Sequence, residues 1–148
     1  MTGYYDSSLI LSLILEERSG IDYEEVWERF ETRLSSNLMR FECIAGLRRA
    51  AVIQGVGADD AWVGERLSIL EEYFENLNFK LIDDSIEMVL RDNAELADCR
   101  CLDAVHLATA LYFRAAVHRE IFVCSLDHRM RDVAERVGLQ VMPQRVDA

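Results

Sequence analysis

Four acids interrupt apolar stretches of the chain: Asp6 behind Tyr4-Tyr5, Glu42 between Phe41 and Cys43-Ile44, Asp103 in Leu102-Asp103-Ala104, and Asp127 behind Ser125-Leu126. Two carboxylates ~5 Å apart repel by roughly 3 kcal/mol at an effective dielectric of ~20, and four would make several such pairs. If these residues meet, something positive must sit among them. The chain has one lysine, Lys80, and the four acids offer only oxygen, so the fitting cation is Mg²⁺ or Mn²⁺ with several retained waters. Such an ion activates water and neutralises phosphate oxygens, which makes phosphodiester hydrolysis the reaction class. It also bridges an acidic protein to RNA or DNA.

Widely separated residues meet only if the fold gathers them. Short apolar runs at 4–5, 37–40, 79–82, 121–124 and 139–142 alternate with helical patterns, which predicts repeated β-α units on a parallel sheet in one domain spanning 1–148. Helices are expected over 9–18, from Asp22 through Tyr23, Trp27, Phe30 and Leu34, over 41–50, from Asp59-Asp60 through Val63, Leu67, Leu70, Phe74 and Leu77, from Asp84-Ser85, over 102–116, and over 127–137. All four acids then fall at strand-to-helix junctions. In an open parallel sheet the ligand crevice lies outside the carboxyl ends of the strands, where their order reverses. With the order 3-2-1-4-5, Asp6 and Asp127 face each other across it, Glu42 lies one strand over, and the helix before the fourth strand brings in Asp103. The competing explanation is that Asp is a favoured helix N-cap, which would reduce Asp103 and Asp127 to caps.

Net charge is −11, from 16 basic and 27 acidic residues, the wrong sign for simple adhesion to nucleic acid. The surplus lies in residues 1–100; residues 101–148 hold six of each sign. Fifteen of the basic residues are Arg, whose guanidinium fork matches phosphate geometry, and Arg48, Arg49, Arg129 and Arg131 are candidates to hold substrate phosphates. Cys43, Cys99, Cys101 and Cys124 form no CxxC pair and are expected to be reduced. His106, His118 and His128 lack metal-motif spacing; His106, three residues beyond Asp103, could share that face of the helix and approach the pocket, against the more ordinary reading of a hydrogen-bonded structural histidine. No apolar stretch is long enough for a membrane helix and no basic segment precedes the first apolar run, so a cytoplasmic location without membrane contact is expected.

Tyr5-Asp6-Ser7-Ser8, Glu42 followed by Leu47-Arg48-Arg49-Ala50, the segment from Leu102-Asp103-Ala104 through Val105-His106-Leu107-Ala108, and Ser125-Leu126-Asp127 together resemble the successive motifs of a PIN domain. More narrowly they resemble the VapC toxins of toxin-antitoxin pairs. The resemblance implies a PIN-like α/β/α fold and an endoribonuclease that uses Mg²⁺ or Mn²⁺ on RNA and is neutralised by a cognate antitoxin. It also implies that Asp6, Glu42, Asp103 and Asp127 are the catalytic, metal-binding acids, with Ser7 and Ser125 as supporting polar residues. The stripes at 23–34 and 63–77 resemble the family's antitoxin-binding and dimer-forming helices, implying a homodimer, although packing within the monomer accounts for them equally. Two rival functions share the architecture. One is a catalytically silent PIN-like binding module, which the presence of all four acids opposes; the other is a phosphoacceptor receiver, which needs a lysine after a late strand, whereas Lys80 lies at the third.

Overall fold

The computed structural model describes residues 1–55 and 60–146, with the side chain of Asp60 also outside the description. Five parallel strands form one sheet in the order β3-β2-β1-β4-β5: β1 (Thr2–Tyr5), β2 (Thr32–Ser36), β3 (Asn78–Lys80), β4 (Ile121–Cys124) and β5 (Gln140–Met142). The central strand β1 pairs Tyr4 with Leu34 on one side and with Val123 on the other. Consecutive strand residues point to opposite faces, so Tyr4 and Tyr5 feed two different cores. On the Tyr5 side lie α1 (Ser7–Ile14), α2 (Tyr23–Glu28), α3 (Leu38–Ile53) and α4 (Asp60–Glu75). On the Tyr4 side lie α5 (Asp84–Asp92), a 3₁₀ turn (Ala94–Asp98), α6 (Cys101–Val117) and α7 (His128–Arg136). The result is the parallel β-α sheet expected from the alternation of patterns, in the supposed strand order 3-2-1-4-5, within the three-layer α/β/α architecture that the family resemblance implied.

The second strand corrects the expectation. It occupies Thr32–Ser36, whereas residues 38–53, including the apolar run at 37–40, are helical. Ser35 and Ser36 are fully buried, which hides the strand from a hydropathy reading. Burial is tolerable for Ser35 because its hydroxyl donates to the Tyr5 carbonyl at 2.6 Å. The stripe Tyr23, Trp27, Phe30, Leu34 is therefore not one helix. All four side chains are buried, but α2 stops at Glu28, Phe30 packs from the following loop, and Leu34 lies on β2 facing the other core. A Cβ on Gly3 would stand 2.8 Å from the Phe30 ring, so this entry into the core requires glycine.

Helix ends show the same interplay. Asp22 caps α2 by accepting from the Glu25 N–H, as its spacing suggests. The first helix ends at Ile14 rather than running to Arg18: Glu16 takes φ +52°, its N–H donates to Leu13 and that of Glu17 to Ser12, a paired C-terminal motif closed without glycine. Gly138 closes α7 in the same pattern. Helix α5 begins at Asp84 as expected, with Asp83 as its cap, and the expected start of α4 at Asp59 lies outside the described residues.

Both apolar stripes offered for partner binding are spent on the chain's own packing. Tyr23, Val26, Trp27, Leu70, Phe74 and Leu77 share the Tyr5-side core, and Val63 packs with Leu47 and Ala51. The exposed apolar side chains are elsewhere, notably Phe41, Ile44, Val52 and Ile53 on α3 and Leu81 and Ile82 after β3. Lys80 donates to Asp83 at 2.7 Å with its ammonium over the Tyr112 ring, so it is engaged away from the strand-order reversal. Among the described residues all four cysteines are free, and no helix is long and apolar enough to cross a membrane.

Candidate active site

The strand order reverses between β1 and β4, and an acid follows the carboxyl end of each, Asp6 immediately after β1 and Asp127 three residues after β4. Asp6 follows β1 directly and caps α1, accepting from the Ser8 N–H at 3.0 Å and the Ser8 hydroxyl at 2.6 Å. Its second oxygen accepts from the Ser125 hydroxyl at 2.6 Å. Each serine has a second task. Ser8 Oγ accepts from the Leu126 N–H and Ser125 Oγ from the Asp127 N–H, so two hydroxyls stitch the loop after β4 to Asp6. Asp127 caps α7, accepting from the Met130 N–H at 2.8 Å.

The other two acids come from helices rather than junction caps. Asp103 lies in the first turn of α6, whose cap is Arg100, and makes no hydrogen bond or ion pair with a described residue. Glu42 lies just past the first turn of α3 and is bonded through Oε1 to His106 Nε2. His106 is buried and hydrogen-bonded through both ring nitrogens, with Nδ1 2.7 Å from the Tyr4 hydroxyl.

The acids are close enough to perturb one another. Burial first, then the charges of Asp127, Asp6 and Glu42, hold the Asp103 carboxyl above the usual carboxylate range, while His106 opposes the shift. Burial also raises Asp6 against the hydrogen bonds from Ser125 and Ser8. Nevertheless, among the described residues no three His, Cys, Asp or Glu side chains stand close enough to hold a metal ion as they lie. The donor chemistry itself suits a hard divalent cation: all oxygen, with one Asp127 oxygen, one Glu42 oxygen and both Asp103 oxygens unclaimed by described residues. A bound cation would have to draw carboxylates together, and Asp103, which no described residue holds, is the one free to move.

Of the supporting residues, Ser125 contacts Asp6, but Ser8 rather than Ser7 supplies the second hydroxyl. Ser8 is the N2 residue of α1, whose N–H and side chain both turn back toward the cap; Ser7 presents only its carbonyl to Cys43. Ser8 was legible as part of Asp6-Ser7-Ser8 but not distinguishable there; the role of Tyr4 had no sequence signal. Arg131 is corrected outright. It is buried, donating at 2.9 Å to the Ser125 carbonyl and at 2.6 Å to the Pro143 carbonyl, so its guanidinium braces the loop and cannot reach out to substrate. Arg48, Arg49 and Arg129 are exposed and make no ion pair with a described residue, and His128 is exposed beside Asp127.

The family model of the PIN domain matches residues 4–136, a span that contains all four acids and both stitching serines. The chain belongs to the PIN-domain family. This PIN domain is 30% identical over 139 residues to Ribonuclease VapC46 of Mycobacterium tuberculosis, a match covering 94% of this chain and 95% of that protein. It is also similar to the crystal structure of PAE2754 from Pyrobaculum aerophilum, with a TM-score of 0.54 and 15% identity, covering 95% of this chain and 89% of that one. The structural likeness speaks for the fold alone.

Proposed function

We propose that this PIN domain is a VapC-type endoribonuclease toxin that hydrolyses RNA phosphodiesters with Mg²⁺ or Mn²⁺, acts in the cytoplasm as a homodimer, and is neutralised by a cognate antitoxin. The observation that carries the reading is Asp103: a half-buried carboxylate without a partner, in the field of three other acids. A group so placed is a cost to the fold unless a cation joins it. Kinship to a protein named a ribonuclease supplies the substrate class.

Asp6, Glu42, Asp103 and Asp127 would hold the ion, directly or through water, and a bound Mg²⁺ or Mn²⁺ would supply water activation and neutralisation of phosphate charge. The chain's part is to orient. Ser8 and Ser125 fix the Asp6 carboxylate, the α7 cap fixes Asp127, and exposed Arg48, Arg49 and Arg129 offer guanidinium groups to flanking phosphates. Antitoxin and second subunit would use exposed apolar side chains such as Phe41 and Ile44, since the earlier stripes are buried.

RNA cleavage by purified protein with and without EDTA tests this. Asp6→Asn and Asp103→Asn should each abolish Mg²⁺-dependent cleavage with circular dichroism unchanged. Cleavage that survives both substitutions, or that ignores EDTA, removes the proposal. A folded wild-type protein that never cleaves would instead support the silent binding module, which the lack of ready ligating distances keeps in view.

A further inference from the structure

The proposed chemistry does not use His106, yet this side chain is only 1% exposed and both ring nitrogens are engaged. Its partners lie on different elements: Tyr4 on the central strand and Glu42 on α3. Tyr4 is fully buried beside the Ser36 and Thr109 hydroxyls, and burial keeps its phenol protonated far above neutral pH. The Glu42 carboxylate can only accept, so His106 Nε2 carries the proton that bonds it, and Nδ1 of the neutral ring accepts from the Tyr4 hydroxyl.

The other pocket acids show why this matters. Asp6 and Asp127 have short side chains pinned by backbone N–H groups, and Asp6 also by two serines. Glu42 has an additional rotatable bond, and His106 alone ties it down among the described residues. His106 also stands three residues beyond Asp103 on α6, so the helix that supplies Asp103 grips the acid arriving from α3.

We propose that His106, braced by Tyr4, is a positioning residue that holds Glu42 in one orientation, with Oε1 tied to α6 and Oε2 free for the pocket cation. This rests on the metal-pocket reading above.

The test is direct Mn²⁺ binding, by calorimetry or by the electron paramagnetic resonance of free Mn²⁺, with melting temperature recorded for every variant. His106→Asn, which cannot reach Glu42, should weaken Mn²⁺ binding by ~10–100-fold, the usual effect of removing a partner behind a ligand. It should lower kcat and leave KM for RNA unchanged. His106→Gln, whose amide N–H can take the place of the ring Nε2–H, should restore most of the affinity. In a Glu42→Gln background, His106→Asn should cost nothing further. Wild-type affinity in His106→Asn, or losses that add fully in the double variant, would overturn the proposal. If His106→Asn does not fold, Tyr4→Phe should still lower Mn²⁺ affinity several-fold, and undiminished binding would refute the bracing. Long-range ¹H–¹⁵N spectra of the wild type should place a proton on Nε2; a proton on Nδ1 alone would overturn it. A wild type that binds no Mn²⁺ removes both this inference and the metal pocket. A wild type that binds and needs Asp103 while His106→Asn is unaffected removes only this one.

Discussion

The pocket is built from two kinds of acid, and they stand on different footings. Asp6 and Asp127 cap α1 and α7, so each satisfies backbone N–H groups that would otherwise lack partners. Glu42 and Asp103 project from helices α3 and α6 and cap nothing. A cap has a structural reason to be Asp in any protein. Asp103 has only the modest preference of a helix's first turn for negative charge, set against three acidic neighbours. The comparison teaches that position at a junction does not separate scaffold from chemistry, and that Asp103, which no described residue partners, is the acid for which a structural role explains least.

The largest effect should come from the unpartnered acid. Asp103→Asn is expected to cost about a thousandfold or more in Mg²⁺-dependent RNA cleavage, because metal stabilisation of the transition state is worth several kcal/mol. The same variant, metal-free, should melt at or above the wild-type temperature; a lower melting temperature would show that Asp103 is structural and dissolve the contrast. Next, Mg²⁺ at ~100 times its dissociation constant should stabilise the wild type by about 2.7 kcal/mol, read as a rise in melting temperature that Asp103→Asn loses. At the caps, Asp127→Ala should destabilise the metal-free fold by about 1 kcal/mol, while Asp127→Asn, which retains the acceptor, should not. Equal melting temperatures for the two would erase the distinction from the other side.

The smallest effect is on pH. The carboxyls of Asp6 and Asp103 are raised in the folded state, so their contribution to stability is fully present below the unfolded value of about 4 and is lost as pH rises through the raised native values. Metal-free protein should therefore lose stability from these groups as pH rises above about 4. Subtracting the profile of Asp103→Asn isolates its share, since the lowered pKa of exposed Asp83 is common to both. A difference profile that is flat, or rises with pH, would contradict the mutual repulsion.

Much of this was legible in the chain. Apolar runs bounded by Asp, Ser and Gly placed four of five strands close to where they lie, because residues such as Ile121 and Val123 are buried on a sheet covered on both sides. Thr32–Ser36 was not legible because it buries polar side chains, that of Ser35 through a hydrogen bond to a neighbouring strand, which no local pattern encodes. Arg131 failed for a similar reason: three acceptors distant in sequence, or displayed by a loop, make burial of a guanidinium tolerable. The acids were readable singly, but the difference between a capped and an unpartnered carboxylate exists only once α3 and α6 meet the sheet.

Arg131 carries one more consequence. The guanidinium that holds the Ser125 carbonyl also grips the carbonyls of Pro143 and Gln144, so the loop steadying Asp6 and the segment after β5 share a single fastening. A proteolytic nick or a bulky fusion just past Met142 would cost the guanidinium two of its three acceptors and slacken that loop. The proposed cleavage would then fail with every acid intact, from damage inflicted beyond β5.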